Sequence, residues 1–133
     1  MKKGYFVLFV ITILIACSTE NTQVLGIKDN KWKLIEMTKD NQLYSPEVSH
    51  ILIFQDDERY SLNLDVNSCY GSYKLVEPNG IDFMRGIPCT EICCDSQFSQ
   101  DLISIFPKFT TYLIADGILI LSGSNGKARF EPI

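Results

Sequence analysis

The stretch from residue 67 to residue 95 constrains the fold most, because four of the chain's five cysteines lie in it. Cys69 stands early in this stretch, and Cys89, Cys93 and Cys94 follow within one connection. Four thiols can form two disulfides in three ways. A bond to Cys69 ties the middle of the chain to the segment before residue 96.

The N-terminus has the pattern of an export signal. Lys2 and Lys3 precede an apolar run over 5–15, which is shorter than the roughly 20 residues of a membrane span. The run ends in Leu14-Ile15-Ala16-Cys17, which resembles a bacterial lipobox. We therefore expect 1–16 to be a lipoprotein signal peptide, Cys17 to carry long acyl chains such as palmitate, and 17–30 to be a flexible tether.

This signal predicts a location in the bacterial cell envelope. Ser18, and not an aspartate, follows Cys17. By the sorting rule of enterobacteria this favours the outer membrane, on its periplasmic side or at the surface. An exported chain meets an oxidising compartment, so we expect disulfides among the other four cysteines, which are Cys69, Cys89, Cys93 and Cys94.

The charge balance argues against one class of partner. The whole chain has 12 basic and 16 acidic residues and a formal net charge of −4. Removal of 1–16 deletes Lys2 and Lys3, so the mature chain would have 10 basic and 16 acidic residues and a net charge of −6. This negative charge argues against nucleic acid. The membrane would be reached through the lipid anchor.

The remainder of the chain alternates apolar and polar residues in the way that is typical of strands. The clearest case is 59–66, and Asp116-Gly117 predicts a hairpin turn. One helix follows Asp95 or Ser96, because apolar residues recur at helical spacing until Pro107 stops it. The other predicted strands are 31–37, 51–54, 72–76, 81–84, 110–115, 118–121 and 127–130. This order predicts a mostly β (α+β) fold with antiparallel strands.

Several of these features occur together in one family. They are Trp32-Lys33-Leu34, the spacing Asn67-x-Cys69-x-Gly71-x-Tyr73, Thr90 before the cysteine cluster, and Tyr112…Gly117-x-Leu119-x-Leu121. In this order they resemble the META domain, or HslJ-like, family of bacterial envelope lipoproteins. For 31–133 the resemblance implies a small open antiparallel β-barrel of about seven to eight strands with one α-helix packed across it. It implies no known reaction.

The resemblance also implies a pairing of the cysteines. The family's single bond corresponds here to Cys69–Cys94, which leaves Cys89 with Cys93. Because Cys89 and Cys93 depart from the family pattern, Cys69–Cys93 with Cys89–Cys94 stays open as the alternative. A bond between the adjacent Cys93 and Cys94 would be strained and is not expected.

The sequence offers no clear catalytic or metal constellation. Structural zinc prefers two Cys-x2–4-Cys pairs, whereas only Cys89 and Cys93 have that spacing here. His50 is the only histidine. It has no nucleophile motif beside it, so we expect it at a strand edge or at the surface. We predict no metal and no cofactor.

The sequence therefore predicts a non-enzymatic envelope lipoprotein that acts as a binding, assembly or stress-protective module. It would present a groove to an apolar ligand or an envelope protein. Trp32, Tyr60, Tyr73 and Tyr112 are expected in the core and at the barrel rim, and they are also the candidates for the lining of such a groove. The alternative is an exported enzyme or thiol-redox protein that uses His50 or the cysteines of 89–94. A deep polar pocket with His50 against a carboxylate would favour that alternative.

Overall fold

The computed structural model describes residues 26–84 and 86–133. The predicted signal peptide, Cys17 and most of the predicted tether lie outside these residues. Within the described ranges, no helix combines the length and the apolar character that crossing a membrane requires.

The described part of the chain consists of nine strands and one α-helix. The strands are β1 (Lys31–Lys39), β2 (Gln42–Tyr44), β3 (Ile51–Phe54), β4 (Arg59–Asn63), β5 (Ser68–Val76), β6 (Gly80–Phe83), β7 (Phe109–Ala115), β8 (Ile118–Gly123) and β9 (Gly126–Pro132). Helix α1 (Gln97–Ile105) lies between β6 and β7 in the chain and continues into a 3-10 turn, Phe106–Lys108.

The strands close into an antiparallel barrel. From β3 to β9 each strand pairs with the next one in the chain, and β1 pairs with both β3 and β9. The short strand β2 pairs with β1 and adds to the ring at one edge. The predicted mostly β barrel of about seven to eight strands with one helix is thus confirmed, but its ring of strands is closed and not open as predicted, because β1 pairs with β9.

The alternation of apolar and polar residues along the strands determines which side chains form the core. Tyr60 and Leu62 on β4 and Trp32 and Leu34 on β1 all point inward and are buried. The register of β1 against β9 shifts after Leu34, and Met37 is buried as well. Because a bulge moves the alternation by one residue, β1 keeps one face inward along its whole length.

Helix α1 begins where the sequence predicts. Ser96 is its N-cap, and the Ser96 hydroxyl accepts a hydrogen bond from the Ser99 amide at 3.2 Å. Pro107 lies in the 3-10 turn that ends the helix. Leu102 and Ile105, one turn apart on the inner face, are buried in the barrel core.

The fold begins earlier than the sequence analysis predicts. A turn formed by Gly26–Asp29, which we name the N-terminal turn, precedes β1, and the Asp29 amide donates to the Gly26 carbonyl at 3.1 Å. Ile27 is buried in the core, and its carbonyl accepts a hydrogen bond from the Trp32 indole at 2.7 Å. The predicted tether boundary at residue 30 is therefore wrong, since Ile27 fills the end of the barrel.

The junction between β6 and β7, which we name the seam, has far fewer paired residues than the other strand junctions of the barrel. The register between β6 and β7 has one pair, Gly80 with Thr111, and the Tyr112 amide adds one bond to the Asn79 carbonyl at 2.9 Å. β7 runs on to Ala115, beyond the turn that joins β5 to β6. The barrel wall therefore has an open flank beside the second half of β7.

Candidate functional site

The first disulfide joins Cys69 to Cys89 and not to Cys94. Cys89 forms a β-bridge directly opposite Cys69, and the amides of Tyr70 and Thr90 donate across this pair to carbonyl oxygens at 3.0 Å each. The two cysteines are therefore a non-hydrogen-bonded antiparallel pair, which is the closer of the two kinds. Their Cα atoms lie 3.9 Å apart.

The second disulfide joins the neighbours Cys93 and Cys94. Cys94 has a φ of 88°, and both side chains are exposed. The predicted pairs Cys69–Cys94 and Cys89–Cys93 are thus wrong, and so are their alternative and the expectation that Cys93 and Cys94 do not bond to each other. The physical reason is the register of the chain after β6, which places Cys89 against Cys69 and leaves the last two thiols only each other.

Asn67 holds the cysteine-rich connection to the barrel. Its side-chain oxygen accepts hydrogen bonds from the Thr90 hydroxyl at 2.7 Å and from the Ile92 amide at 2.8 Å. Its side-chain nitrogen donates to the Ile92 carbonyl at 2.7 Å and to the Asp95 carboxylate at 2.6 Å. The Asn67 side chain is buried, and it forms the hydrogen bonds to the Ile92 backbone that a neighbouring strand would otherwise form.

Asp95 completes this network from the other end of the connection. One carboxylate oxygen accepts from the Val66 amide at 3.0 Å and from the Asn67 amide at 3.1 Å. From the sequence, Asp95 marks only the place after which the helix begins, and Asn67 is only a member of the family pattern. The Asn67-x-Cys69 spacing and Thr90, which the family resemblance contains, are the signals that could have pointed to this network.

Gly71 has the close backbone contact that a glycine inside a strand indicates. It pairs with Tyr60 across β4 and β5. A Cβ atom built on Gly71 would lie 2.6 Å from the Tyr60 hydroxyl oxygen and 2.7 Å from the nearest ring carbon. The tyrosine ring therefore occupies the space of the missing side chain, which explains the glycine two residues after Cys69.

His50 lies in the interior, so its predicted place at a strand edge or surface is wrong. It is 1% exposed because α1 packs over it, and the ring of Phe98 lies 5.1 Å from its own ring. Nδ1 of His50 donates to the Val48 carbonyl at 2.9 Å, since a carbonyl only accepts. Nε2 lies 2.7 Å from the Ser99 hydroxyl.

The Ser99 hydroxyl also meets a carboxylate. It donates to Asp65, whose Oδ1 atom lies 3.9 Å from Nε2 of His50. The second oxygen of Asp65 accepts from the Ser96 amide at 2.7 Å. Burial alone would raise the pKa of Asp65, but the hydrogen bonds from Ser99 and Ser96 outweigh it and lower the pKa to about 2.

This arrangement fastens a helix and does not form a nucleophile site. Ser99 is 0% exposed, so a substrate cannot reach its hydroxyl. In a catalytic triad the carboxylate contacts Nδ1 of the histidine, whereas here Nδ1 of His50 is used by Val48 and the carboxylate contacts the serine. A cavity of about 370 Å³ lies beside these groups, and its lining includes His50, Asp65 and Phe98 but not Ser99. We name His50, Ser99 and Asp65 the helix clamp.

The predicted groove residues do not lie together at a surface. Trp32, Tyr60 and Tyr73 are each at most 1% exposed, because they occupy inward positions of β1, β4 and β5. A groove that these three residues line together is therefore wrong. They belong to the core, and Tyr60 also borders a separate cavity of about 410 Å³ beside Arg59 and Tyr70. Tyr112 does line an open cavity of about 470 Å³, which we name the seam groove. Its wall consists of the N-terminal turn together with Leu75, Pro78, Asn79, Tyr112, Leu113 and Ile114.

Within the described ranges, no three His, Cys, Asp or Glu side chains are grouped as metal ligands. Cys69 and Cys89 are bonded to each other, and so are Cys93 and Cys94. The four thiols that a zinc site at the cysteine cluster would need are thus all used in disulfides.

The fold and these contacts define a class of small antiparallel β-barrels with one helix packed into the barrel. The chain belongs to the META domain family, whose model matches residues 25–131. This match includes the N-terminal turn. The match to this family suggests a small non-catalytic domain.

Two solved structures are similar to this chain. A DUF4847 family protein from Bacteroides vulgatus ATCC 8482 has 10% identity and a TM-score of 0.60, over 79% of this chain and 93% of that one. A protein from Burkholderia xenovorans, solved by NMR, has 15% identity and a TM-score of 0.61, over 80% of this chain and 83% of that one. At these identities the likeness shows the fold alone. No curated protein matches the chain.

Proposed function

We propose that this chain is a lipoprotein of the bacterial cell envelope, anchored in the outer membrane by Cys17. Its META domain would be a non-catalytic binding module, and the seam groove would bind an apolar ligand or an apolar segment of an envelope protein. The observation that carries this proposal is the seam groove itself, an open apolar cavity beside the shortest strand pairing of the barrel.

The lining of the seam groove fits an apolar occupant. Leu75 and Leu113 are 42% and 53% exposed although they are large and apolar. Both belong to the groove, whose cavity of about 470 Å³ falls in the range of small-molecule sites, roughly 300–1,000 Å³. The polar chemistry of the helix clamp, by contrast, is already satisfied inside the fold.

The position of the groove fits an anchored protein. The N-terminal turn forms part of its wall, so the chain joins the domain at the groove. Gly26 lies nine positions after Cys17 in the chain, and a fully extended chain of that length spans at most about 30 Å. An acylated Cys17 would therefore keep the groove close to the bilayer that supplies apolar ligands.

Expression of the full chain in a bacterial host tests the anchor. We expect the protein to sediment with membranes and its N-terminal peptide to begin at Cys17 with the added mass of acyl chains. Cys17→Ser should leave the membrane fraction, since two or three long acyl chains provide the attachment. Cys93→Ser, which also removes one thiol, should sediment like the wild type. Membrane attachment of Cys17→Ser, or a mature N-terminus elsewhere, would contradict the proposal.

A further inference from the structure

The two disulfides differ in how accessible their sulfur atoms are. Cys69 is completely buried in the barrel core, and Cys89 is half-buried against it. Cys93 and Cys94 are both exposed. Because thiol–disulfide exchange requires a thiolate to reach one of the bonded sulfurs, the second bond is open to attack and the first is shielded by the fold.

The bonds also differ in what they contribute to the fold. Cys69–Cys89 joins residues 20 positions apart, on β5 and on the connection that leaves β6. Cys93–Cys94 joins neighbours in the chain, so it closes no loop of the unfolded polypeptide. Since a disulfide stabilises mainly by closing such a loop, reduction of Cys93–Cys94 should leave the barrel folded.

The backbone on both sides of the exposed bond is fixed independently of it. Ile92 is held by two hydrogen bonds to the Asn67 side chain, and Asp95 accepts from the amides of Val66 and Asn67. Cys93 and Cys94 thus form a short exposed bridge between two fastened points. Opening this bridge changes the chain locally and leaves its ends in place.

We propose that Cys93–Cys94 is a thiol–disulfide exchange site for low-molecular-weight thiols, whereas Cys69–Cys89 is a structural bond. The site does not depend on the seam groove or on acylation of Cys17. Within the cysteine cluster, Cys93 and Cys94 exchange with thiols, and Cys69 and Cys89 do not.

The exchange is balanced with the thiol as its only co-reactant. A thiolate attacks the Sγ atom of one cysteine, a mixed disulfide forms, and the electron pair of the Sγ–Sγ bond leaves on the other cysteine, which takes up a proton. A second thiol then attacks the mixed disulfide. Two thiols are oxidised to one symmetric disulfide, and Cys93 and Cys94 are reduced to two thiols.

Timed reduction of the native full chain with 2-mercaptoethanol tests the proposal. Samples are quenched with acid, free thiols are alkylated, and each cysteine is followed by peptide mass spectrometry. We expect Cys93 and Cys94 to be labelled at least about tenfold faster than Cys69 and Cys89, because the buried bond requires local opening of the fold. Reduction of both bonds at the same rate, or of Cys69–Cys89 first, would overturn the proposal. So would untreated protein in which Cys93 is bonded to any residue other than Cys94.

Two variants separate reactivity from a structural role. The double variant Cys93→Ser with Cys94→Ser should keep the near-UV circular dichroism and the unfolding midpoint of the wild type while losing the fast-labelled thiols. A large loss of midpoint would show that the exposed bond is structural and would overturn the proposal. Cys94→Ser alone, treated with 2-hydroxyethyl disulfide, should accumulate one mixed disulfide at Cys93. Failure to form this adduct would show that the sulfur cannot be reached.

Discussion

At the scale of single residues, one side chain organises the cysteine-rich connection. Asn67 makes hydrogen bonds to Thr90, Ile92 and Asp95, so it binds both ends of the segment that carries the exposed disulfide. A buried polar group with several partners is costly to remove because each partner loses its bond as well. Asn67 should therefore matter more to this connection than either disulfide sulfur at the surface.

Asn67→Ala is expected to lower the free energy of unfolding by about 2–4 kcal/mol, since it removes four hydrogen bonds of a nearly buried amide. Chemical denaturation at neutral pH measures the loss. Asn63→Ala is the matched control, because Asn63 is exposed and its side chain accepts one bond, from Ser68 at 3.2 Å. The control should change the free energy by less than about 0.5 kcal/mol. Equal stability of the two variants would refute the role of Asn67.

Residue-level prediction from the sequence succeeded where the signal is local. A glycine inside a strand indicates a bulge or a close approach to the backbone, and at Gly71 the Tyr60 ring makes that approach. The predicted pairing of the cysteines was wrong, because it depends on where the chain returns to β5 after β6. No local sequence pattern near Cys89 indicates that register. Likewise His50 looks exposed in the sequence, since the helix that buries it begins almost fifty residues later.

At the scale of elements, the helix clamp determines how α1 is fixed to the barrel. His50 comes from the start of β3, Asp65 from the connection after β4, and Ser99 from the first turn of α1. Three segments far apart in the chain therefore meet at one hydroxyl group. The Asp65 carboxylate also accepts the Ser96 amide, so it neutralises part of the positive end of the helix.

The clamp predicts an acid-sensitive contribution to stability. The pKa of Asp65 is lowered from 3.8 to about 2 in the folded chain. As the pH falls, the unfolded chain therefore binds a proton at Asp65 before the folded chain does. The contribution is therefore complete above about pH 4 and is lost as the pH falls through about 2, with a total of about 2 kcal/mol. Urea unfolding across this range should show the wild type losing that much relative to Asp65→Asn.

Two serines on α1 provide the controls for this experiment. Ser99→Ala removes the side-chain hydrogen bond to Asp65 and should reduce the loss that the wild type shows in acid. Ser104→Ala changes an exposed position of the same helix and should show the same loss of stability in acid as the wild type. Parallel pH profiles for the wild type and Asp65→Asn would mean that Asp65 carries no such linkage.

Elements were predictable from the sequence wherever a periodic pattern or a familiar turn defines them. The barrel strands and α1 follow from alternation, from helical spacing and from Pro107. Strand β2 was missed because its turn, Asp40-Asn41, lacks glycine, yet both residues adopt positive φ values of 50° and 64°. Aspartate and asparagine tolerate this region better than most residues, which is what allows the extra hairpin.

At the scale of the whole molecule, closure of the barrel and the position of the seam groove have a common origin. The pairing of β1 with β9 closes the ring of strands. The pairing of β6 with β7 ends after one residue pair, so one flank of β7 stays open. Three of the four aromatic residues expected in a groove, Trp32, Tyr60 and Tyr73, fill the closed interior. The apolar surface that remains available lies at the seam, where Leu113 comes from the half of β7 that pairs with β8 but not with β6, and Leu75 comes from β5.

This arrangement predicts that apolar ligands bind at the seam groove and that binding can be removed without unfolding the barrel. Leu113→Glu should weaken binding of the neutral fluorescent probe N-phenyl-1-naphthylamine by at least about tenfold, or about 1.4 kcal/mol, because a charge in the cavity must lose its hydration. Leu43→Glu is the matched control: Leu43 is also an exposed strand leucine, at 64% against 53%, but lies on β2 outside the groove. Both variants should unfold within about 0.5 kcal/mol of the wild type, since neither side chain belongs to the core. If the probe binds both variants equally, its site lies elsewhere, and the seam groove loses its role as the binding surface.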